Sequence, residues 1–427
     1  MRSVVPIVMS VVGAVVVGAA ATALAVSGAG AIIYEFDTSA RSAGMGSATT
    51  AVFWAEDANI WANPALLGYH HGVRYQNFRS QLATGLAENI FLDSDRVTFG
   101  AYGVGFSLSC WPFVREAGDY LDMGESTATD ESGNVVGTFH PWMRSDSWSV
   151  GVSLAQLFDA LSGNGGAGDR GLARYADVAM GWSHKRYADE LAPAEFMMDG
   201  IAASAEATLN DRGLLVRATP YNSIDDMGRV PSLDRVFDPL GGLRLDLSYG
   251  LSDLNYNNAL IVREDTDEAD PAPRMRRRGL AVRAALGLPP GVREALDDGG
   301  LGLLAESLTP LLSYGLSWDH VTPWILWNES RGEYEFAADP DEDRHDHLRG
   351  SELVMANILF LRRGHVENRA GCIDGATTGW GLGFRLADVA GFRYDHAEVP
   401  QAAELPRVER EGYTLFVDGC ALWRRLQ

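Results

Sequence analysis

The clearest pattern along the chain is an alternation of apolar and polar residues with a period of two. Residues 241–254 show it well: Leu243, Leu245, Leu247 and Tyr249 alternate with Arg244, Asp246, Ser248 and Gly250. Successive side chains of a β-strand point to opposite faces of its sheet. The pattern therefore predicts strands that have one apolar and one polar face.

Further segments alternate in the same way throughout the chain. They cover residues 97–110, 148–158, 177–187, 213–219, 279–288, 311–318, 353–362, 379–386, 392–395 and 413–423. Many have roughly the ten residues of a tilted strand that crosses a bilayer. Strands of a soluble β-sandwich also alternate, so the pattern alone leaves both classes open. The number of segments and the tryptophans near their ends favour a membrane barrel.

Polar connections of two sizes separate these segments. Residues 159–170, 263–274 and 337–350 form long stretches rich in Asp, Gly and Pro, whereas residues 388–391 form a tight turn. Long loops on one side and short turns on the other are typical of an outer-membrane barrel.

The alternation also assigns a face to each side chain of such a barrel. The residues expected to face lipid are Leu243, Leu245, Leu247, Leu382, Phe384 and Tyr394. The residues expected to face the lumen are Arg244, Asp246, Arg385, Arg393 and Asp395. An arginine that faces lipid at the membrane midplane costs about 2–4 kcal/mol, which favours the luminal assignment. Arg385, Arg393 and Asp395 fall on adjoining strands, and we expect them to pair across the lumen.

The chain begins with an export signal. An apolar run follows Arg2 and extends to Ala25, where Ala23-Leu24-Ala25 fits the small-x-small pattern of a cleavage site. Residues 1–25 are therefore expected to be a secretory signal peptide. A retained transmembrane anchor is the alternative, because the run is long enough to span a bilayer.

Composition and charge exclude several other classes. Of the 427 residues, 46% are hydrophobic and 10% aromatic, which is too apolar for a disordered chain. Apart from the first run, no stretch is apolar enough for a helical membrane protein. The formal net charge of −22 argues against nucleic acid as a partner, because a phosphate-binding face has to be basic.

Motifs for catalysis and metal binding are weak. Gly-x-Gly runs at Gly103 and Gly379 lie inside alternating segments, so they lack the strand–turn–helix context of a nucleotide site. Residues 339–347 hold several acids together with His345 and His347, and a solvated loop explains them better than calcium or zinc. The sequence contains no Gly-x-Ser-x-Gly or His-Glu-x-x-His motif, so we expect no enzyme activity, no metal site and no cofactor.

Residues 39–67 carry a distinctive signature. Its first half contains Arg41, Gly44, Met45 and Gly46, and its second half contains Asp57, Asn63, Pro64 and Ala65. Because the alternation is absent here, we expect residues 26–72 to fold with short helical turns. Asp57 is expected to cap one such turn, and Pro64 to end it, because Asn63 before the proline is disfavoured in helical geometry.

This signature, together with residues 357–364, 379–384 and 392–397, resembles the PorV/PorQ branch of the FadL-like outer-membrane β-barrels. The resemblance implies an all-β fold, a transmembrane antiparallel up-and-down barrel of about fourteen strands over residues 73–427. It also implies that residues 26–72 form a plug segment in the lumen, and that the protein resides in the outer membrane of a Gram-negative-type cell.

Topology of this kind places both chain ends in the periplasm. Cys372 is then expected in an external loop and Cys420 near the periplasmic rim, with an apolar band of about 25 Å between them. A disulfide needs Cα atoms within about 7 Å. Cys372 and Cys420 are therefore not expected to be bonded to each other.

Three functions remain open at this point. The first is a FadL-like channel for hydrophobic small molecules. The second is a PorV-like accessory of protein secretion that binds exported proteins or components of a secretion complex. The third is a soluble secreted β-protein. Membrane lipids and a hydrophobic ligand are the partners of the first function, and nucleic acid is a partner of none.

Overall fold

The computed structural model describes most of the chain beyond residue 30. The described residues are 31–54, 57, 60–87, 89–109, 118–129, 132–162, 171–197, 200–224, 231–264, 269–324, 326–328, 333–335, 345–368, 373–401 and 405–426. The expected signal peptide, residues 1–25, lies outside this part, as do Cys110 and Cys372.

Fourteen antiparallel strands form a closed barrel, as expected from the sequence. The first seven are β1 Gly72–Gln81, β2 Phe91–Ala101, β3 Val104–Leu108 with Asp119–Asp122, β4 Trp142–Ser153, β5 Ala176–Ala192, β6 Ala203–Asn222 and β7 Leu243–Leu254. The other seven are β8 Arg274–Leu286, β9 Leu312–Trp324, β10 Asp346–Met355, β11 Leu359–Asn368, β12 Ile373–Leu386, β13 Ala390–Val399 and β14 Val408–Val417. The third strand has two segments, and both lie between β2 and β4.

The sheet closes because β1 pairs with both β2 and β14. Val73 lies opposite Phe99 on one side and opposite Val417 on the other. Every strand therefore has two partners, and the barrel has no free edge that could pair with another chain.

Burial alternates along the strands with the period seen in the sequence. In β8, Arg277 is buried, whereas its neighbour Arg278 is exposed. Large exposed apolar side chains surround the outside: Val73, Phe99, Phe106, Trp148, Met180, Val216, Leu247, Leu280, Tyr314, Leu361, Leu382, Phe384 and Leu415. A continuous outward apolar surface of this kind is far larger than a water-exposed surface carries. Within the described residues, no helix is both long and apolar enough to cross a membrane.

The two ends of the barrel differ in their connections. We call the end where β1 begins and β14 ends the near end, and the opposite end the far end. Three short turns at the near end join β2 to β3, β10 to β11 and β12 to β13. The near end also carries the helices Leu154–Leu161, Pro231–Phe237, Pro290–Asp298, Gly302–Ser307 and Gly419–Leu426.

The expectation of long loops on one side only was therefore wrong. The connection that contains residues 159–170 leaves β4 at the near end, beside the short turns, because β4 ends there at Ser153. The far end carries three small hairpins, which pair Ser126–Thr129 with Val135–Phe139, Leu260–Arg263 with Ala269–Pro271, and Leu326–Asn328 with Glu333–Glu335.

Residues 31–71, which we call the N-terminal segment, precede β1, and the described residues among them are almost entirely buried. The segment contains the 3-10 turns Ile32–Glu35 and Pro64–Tyr69 and the short helix Ala40–Gly44. Its first part packs with the far halves of several strands, in a cluster that includes Tyr34, Phe36, Leu92 and Leu209. Its last part packs in a second cluster with Leu215 and Ala281.

Candidate functional site

A row of glycines receives the second half of the N-terminal segment. Gly100, Gly105, Gly151, Gly181 and Gly213 lie on β2 to β6, and each is in register with the next. A Cβ at any of these five positions would lie within 2.0–2.7 Å of an atom of Asn63, Pro64, Leu67 or His70. The strands can lie this close to the N-terminal segment only because these five residues are glycines, which have no side chain.

The row continues on the other side of the barrel, and we call the whole set the glycine cradle. Its further members are Gly250, Gly279, Gly350, Gly364 and Gly379. A Cβ at Gly350 would lie 2.5 Å from the carbonyl oxygen of Met45, and one at Gly364 would lie 2.2 Å from the amide nitrogen of Gly46. Gly46 has a φ of +63°, a left-handed conformation that favours glycine.

Arg41 joins the segment to the wall through a buried ion pair. Its Nε and second terminal nitrogen donate to the two carboxylate oxygens of Glu352 on β10, at 3.0 and 2.6 Å. Both side chains are almost fully buried, at 2% and 3% exposure. Burial by itself would lower the pKa of the Arg41 guanidinium, but Glu352 raises it above its usual value. A buried two-point contact of this kind fixes orientation as well as position.

Asp57 supports Arg41 from within the segment. Its Oδ1 lies 3.7 Å from an Arg41 nitrogen, and its Oδ2 accepts a hydrogen bond of 2.7 Å from the Ser39 hydroxyl. Ser39 is itself the N-cap of the short helix Ala40–Gly44, because its side chain accepts from the amide of Ser42. The turn that Asp57 was expected to cap includes residues 58 and 59, which lie outside the described residues.

The ion-pair network extends from Glu352 across three strands. Arg362 on β11 donates to Glu352 at 2.8 Å and also lies 2.8 Å from Asp395 on β13. Arg393 donates to the other oxygen of Asp395 at 2.8 Å. Arg393 and Asp395 thus pair along one strand, and Arg362 is the partner of Asp395 on another strand.

Arg385 lies apart from this network, near the end of β12. Its Nε donates to the carbonyl oxygen of Ala387, and its guanidinium lies 5.8 Å from the ring centre of Phe416. The expected pairing of Arg385 with Arg393 and Asp395 is therefore not the arrangement found, because Arg385 lies in the near-end turn region.

A second buried ion pair holds the middle of the segment. Asp319 on β9 accepts from the backbone amide and the hydroxyl of Thr50, at 3.1 and 2.6 Å. Arg277 on β8 donates to the Thr50 hydroxyl at 3.0 Å, pairs with Asp319 at 3.0 Å and lies 4.6 Å from the ring centre of Trp61. Sequence reasoning missed Glu352, Arg277 and Asp319, although each occupies an inward position of the alternating pattern.

Asn63 and Pro64 start a helical turn instead of ending one. The Asn63 side chain accepts from the amide of Ala65 at 3.0 Å, and Pro64 occupies the first position of the turn Pro64–Tyr69. The expectation from sequence was wrong because proline is favoured at the first position of a helix, where its missing N–H has no partner to lose. Asn63 also donates to the carbonyl oxygens of Thr50 and Leu214, at 2.9 and 3.1 Å.

Arg244 and Asp246 of β7, which we expected to face the lumen, lie near residues 53 and 54 of the N-terminal segment. Asp246 is fully buried and accepts from Arg244 at 3.0 Å and from Arg283 at 2.7 Å. Arg283 lies 5.1 Å from the ring centre of Trp54. Of the side chains expected to face lipid, Leu247, Leu382 and Phe384 are exposed and Leu245 and Tyr394 half-buried, whereas Leu243 at the near-end start of β7 is buried.

A cavity of about 110 Å³ lies between the first half of the N-terminal segment and the far ends of β8 to β14. More than half of its lining is apolar: Trp61, Pro273, Met275, Val321, Pro323, Leu348, Val366, Ile373 and Val399. Its charged lining residues are Glu35, Asp37, Arg274, Arg277, Asp346 and Arg410. Burial raises the pKa of the Asp37 carboxyl, although the Ser42 hydroxyl and Arg410 oppose the shift. The cavity thus combines an apolar wall with a few charged groups, as ligand pockets commonly do.

The histidines near residue 345 lie close together on the outside of the far end. The ring centres of His345 and His347 lie 4.4 and 5.1 Å from that of His320. Within the part of the chain that the structure describes, no group of three or more His, Cys, Asp or Glu side chains is arranged to hold a metal ion. Residues 339–344 of the acidic stretch lie outside the described residues.

Comparisons with known proteins bear on the architecture alone. No family model matches the chain, and no curated protein matches it. Among solved structures, a FadL homologue of Pseudomonas aeruginosa is similar at 9% identity and a TM-score of 0.37, over 90% of this chain and 98% of that one. The Ralstonia pickettii toluene transporter TbuX is similar at 9% identity and a TM-score of 0.37, over 88% and 95%. The β domain of the Bordetella autotransporter BrkA reaches a TM-score of 0.33 at 9% identity, over 81% and 99%.

Proposed function

We propose that this protein is an outer-membrane channel for small hydrophobic molecules, in which the N-terminal segment acts as a plug. The observation that carries the proposal is the apolar-walled cavity at the far end, which the N-terminal segment lines through Glu35, Asp37 and Trp61. A second cavity, beside Tyr34 and Lys185, has about 10 Å³, enough for a single water molecule. We infer that a molecule in the far-end cavity passes through the barrel when the N-terminal segment rearranges.

Placement in a membrane follows from the outward surface. The exposed side chains of Leu247, Leu280 and Leu382, like their counterparts on the other strands, would face water in a soluble protein. Burying them in lipid gains about 25 cal/mol for each Å² of apolar surface removed from water. The near end carries the short turns, which in bacterial outer-membrane barrels lie on the periplasmic side, so we expect the far end with its cavity to face the outside of the cell.

Removal of residues 1–25 fits this placement. Ala31 is fully buried and belongs to the apolar cluster in the far half of the barrel. A retained anchor would have to leave the lumen from this position and reach the lipid within a few residues. We expect the intact mass of the protein isolated from membranes to correspond to a chain that begins at Val26.

The size of the cavity sets the class of molecule. A cavity of about 110 Å³ is close to the engineered apolar cavity of about 150 Å³ that admits benzene. It is much smaller than the roughly 300–1,000 Å³ of pockets for drug-sized ligands. A compound with a single apolar ring, such as toluene, matches both the volume and the apolar lining.

Two variants on one strand test the proposal. Leu348 lines the cavity from β10, whereas Leu353 on the same strand has the opposite orientation and is half-buried on the outside. Leu348→Trp adds bulk inside the cavity, and Leu353→Trp adds the same bulk on the outside. Uptake of radiolabelled toluene would be measured in barrel-containing cells against cells that lack the barrel, with heat-modified gel mobility to verify folding.

We expect wild type and Leu353→Trp to take up toluene at the same rate, and Leu348→Trp to lose most of this uptake. A barrel that only binds exported proteins at the membrane would leave toluene uptake equal in all strains. That result would reject the channel and favour the secretion accessory.

A further inference from the structure

The outward face of the barrel carries an unexpected group of cations. Arg278 on β8, Arg349 on β10 and Arg363 on β11 are all exposed. Each lies between two inward-facing residues. Arg277 and Gly279 flank the first arginine, Leu348 and Gly350 the second, and Arg362 and Gly364 the third. The three guanidinium groups therefore point away from the lumen, and we call them the outer arginine cluster.

Strand register brings the cluster together on one side of the barrel. Arg278 lies opposite His320 on β9, and His320 lies opposite His347 on β10. Arg349 lies opposite Trp318 on one side and opposite His365 on the other. Because neighbouring strands are about 4.8 Å apart and a strand rises about 3.4 Å per residue, Arg278 and Arg363 lie roughly 14 Å apart across the four strands and roughly 14 Å apart along them.

The charges of the cluster are not balanced by the protein. Among the described residues, none of the three guanidinium groups has a carboxylate within ion-pair distance or a hydrogen-bond partner. The outward acids around the cluster include Glu367 and Asp374, which lie opposite each other, and Glu398, which lies two strands from Arg363; His365 lies 2.9 Å from Asp374. The formal net charge of the whole chain is −22, so this unpaired positive group runs against the overall balance.

Other outward arginines of the barrel show the contrast. Arg79 lies 3.6 Å from Asp93, Arg186 lies 3.0 Å from Glu206, and Arg212 lies 2.7 Å from Asp253. These arginines are therefore compensated within the protein, whereas those of the outer arginine cluster need a partner from outside it.

The height of the cluster on the barrel indicates the partner. Arg278 is two residues from the exposed Leu280, Arg363 is two residues from the exposed Leu361, and Arg349 is opposite the exposed Trp318. The cluster thus borders the apolar belt on its far side, where the headgroups of one leaflet lie. Arginine binds phosphate through two parallel hydrogen bonds and is weakly hydrated, which suits it to this boundary.

We propose that the outer arginine cluster binds the phosphate groups of a lipid headgroup in the leaflet at the far end, that of a phosphorylated glycolipid. The proposal rests on the placement in a membrane under Proposed function, but not on transport. The lipid would supply the negative charge that the protein lacks here. It would also hold strands β8 to β11, which carry Glu352, Arg277 and Asp319, in one orientation relative to the bilayer.

The experiment compares two triple variants of the full-length barrel. The test variant carries Arg278→Gln, Arg349→Gln and Arg363→Gln, and the control carries Arg79→Gln, Arg186→Gln and Arg212→Gln. Each barrel is reconstituted in phosphatidylcholine vesicles with and without lipopolysaccharide, and insertion is verified by flotation and protease protection. The readouts are the lipopolysaccharide affinity by native mass spectrometry in uncharged detergent and the thermal unfolding midpoint in vesicles.

We expect the wild type and the control to retain lipopolysaccharide and to unfold at higher temperature in its presence, as a ligand of the folded state requires. The test variant should insert equally well but lose affinity for lipopolysaccharide at least about tenfold, together with the shift in midpoint. Equal retention by test and control variants would overturn the proposal. The proposal would also be overturned if dephosphorylated lipopolysaccharide raised the unfolding midpoint as much as the phosphorylated form does. Equal stabilisation by inorganic phosphate alone would overturn it as well, because that result would indicate a site for free anions. Failure of every barrel to insert would instead reject the membrane placement.

Discussion

Arg41 is the residue on which the position of the N-terminal segment depends most. It contacts Glu352 through two hydrogen bonds, and Glu352 also accepts from Arg362, so three buried charges share one site. Truncating one partner of a buried ion pair leaves an uncompensated charge, which typically costs roughly 3–5 kcal/mol. An exposed pair contributes only about 0–1 kcal/mol.

We therefore expect Arg41→Ala to lower the free energy of unfolding by roughly 3 kcal/mol or more. Arg79→Ala, which removes the exposed pair with Asp93, should change it by less than about 1 kcal/mol. Urea unfolding in lipid vesicles, followed by gel mobility, measures both. Equal effects of the two substitutions would mean that Arg41 does not hold the segment.

The glycine cradle gives a second test at the residue scale. A Cβ at Gly181 would lie 2.2 Å from the carbonyl carbon of Pro64, whereas one at Gly291, in the helix Pro290–Asp298, would meet no atom within 4 Å. The added Cβ would meet backbone atoms of the N-terminal segment and not a side chain that could rotate away. The segment itself would therefore have to move. We expect Gly181→Ala to increase the ion conductance of the barrel in planar bilayers and Gly291→Ala to leave it unchanged. Unchanged conductance in both variants would mean that the glycine cradle does not determine how the N-terminal segment is positioned.

The sequence predicts which face of a strand a residue occupies, but not which residue of another strand it pairs with. Asp246 and Arg393 could be assigned to the buried face from alternation alone, because register within a strand is a local property. The pairing of Arg362 with Asp395 depends on which strands are neighbours and at what offset. The pairing of Arg41 with Glu352 joins residues 311 positions apart, beyond any local signal.

At the scale of elements, strands with clean alternation were identified well and others only in part. The alternating residues 241–254 match β7, Leu243–Leu254, whereas residues 279–288 match only the second half of β8. The first half of β8 contains Arg276, Arg277 and Arg278 in succession, so hydrophobicity cannot separate its two faces. The near-end helices were missed because each is short, so its apolar periodicity covers only two turns or so and gives a weak signal in the sequence.

The glycines also carry information that can be interpreted only once the strand order of the barrel is known. Gly350 and Gly364 lie opposite each other on β10 and β11, both facing inward. A glycine at an inward position of one strand has many explanations, but a row across successive strands indicates that another backbone lies against the wall. Reading that row requires the strand order, which the sequence does not contain.

The strand directions predict that Cys372 and Cys420 lie at opposite ends of the barrel. Cys420 lies in the helix Gly419–Leu426 after β14, at the near end. Cys372 lies outside the described residues, but it directly precedes Ile373, where β12 begins at the far end. On whole cells, we expect a membrane-impermeant maleimide to label Cys372 and to leave Cys420 unlabelled, with both labelled after detergent lysis. A disulfide between the two, or the reverse labelling, would contradict the strand directions.

At the scale of the whole molecule, closure of the barrel explains why fold class was easier to anticipate than function. Alternating strands with no free edge satisfy the backbone in a bilayer whatever the barrel transports. The signature residues Arg41, Gly44, Gly46 and Asn63 all contact the wall or lie against the glycine cradle. These residues therefore determine how the N-terminal segment packs against the wall. A channel and a secretion accessory can share this packing.

The proposed channel opens only if the N-terminal segment moves, and one cross-link tests this movement. The Cβ of Ala40 and an ideal Cβ at Gly412 on β14 are 3.9 Å apart, within the usual range for a disulfide. In a background with the three native cysteines replaced by serine, Ala40→Cys with Gly412→Cys would fix the segment to the wall. Radiolabelled toluene uptake would be measured on oxidised cells and again after reduction.

We expect uptake to be abolished in the oxidised double variant and restored by reduction, with the cysteine-free parent unaffected by either treatment. Equal uptake by the oxidised and reduced forms, with the cross-link verified by mass spectrometry, would contradict a channel that opens by rearrangement of its N-terminal segment.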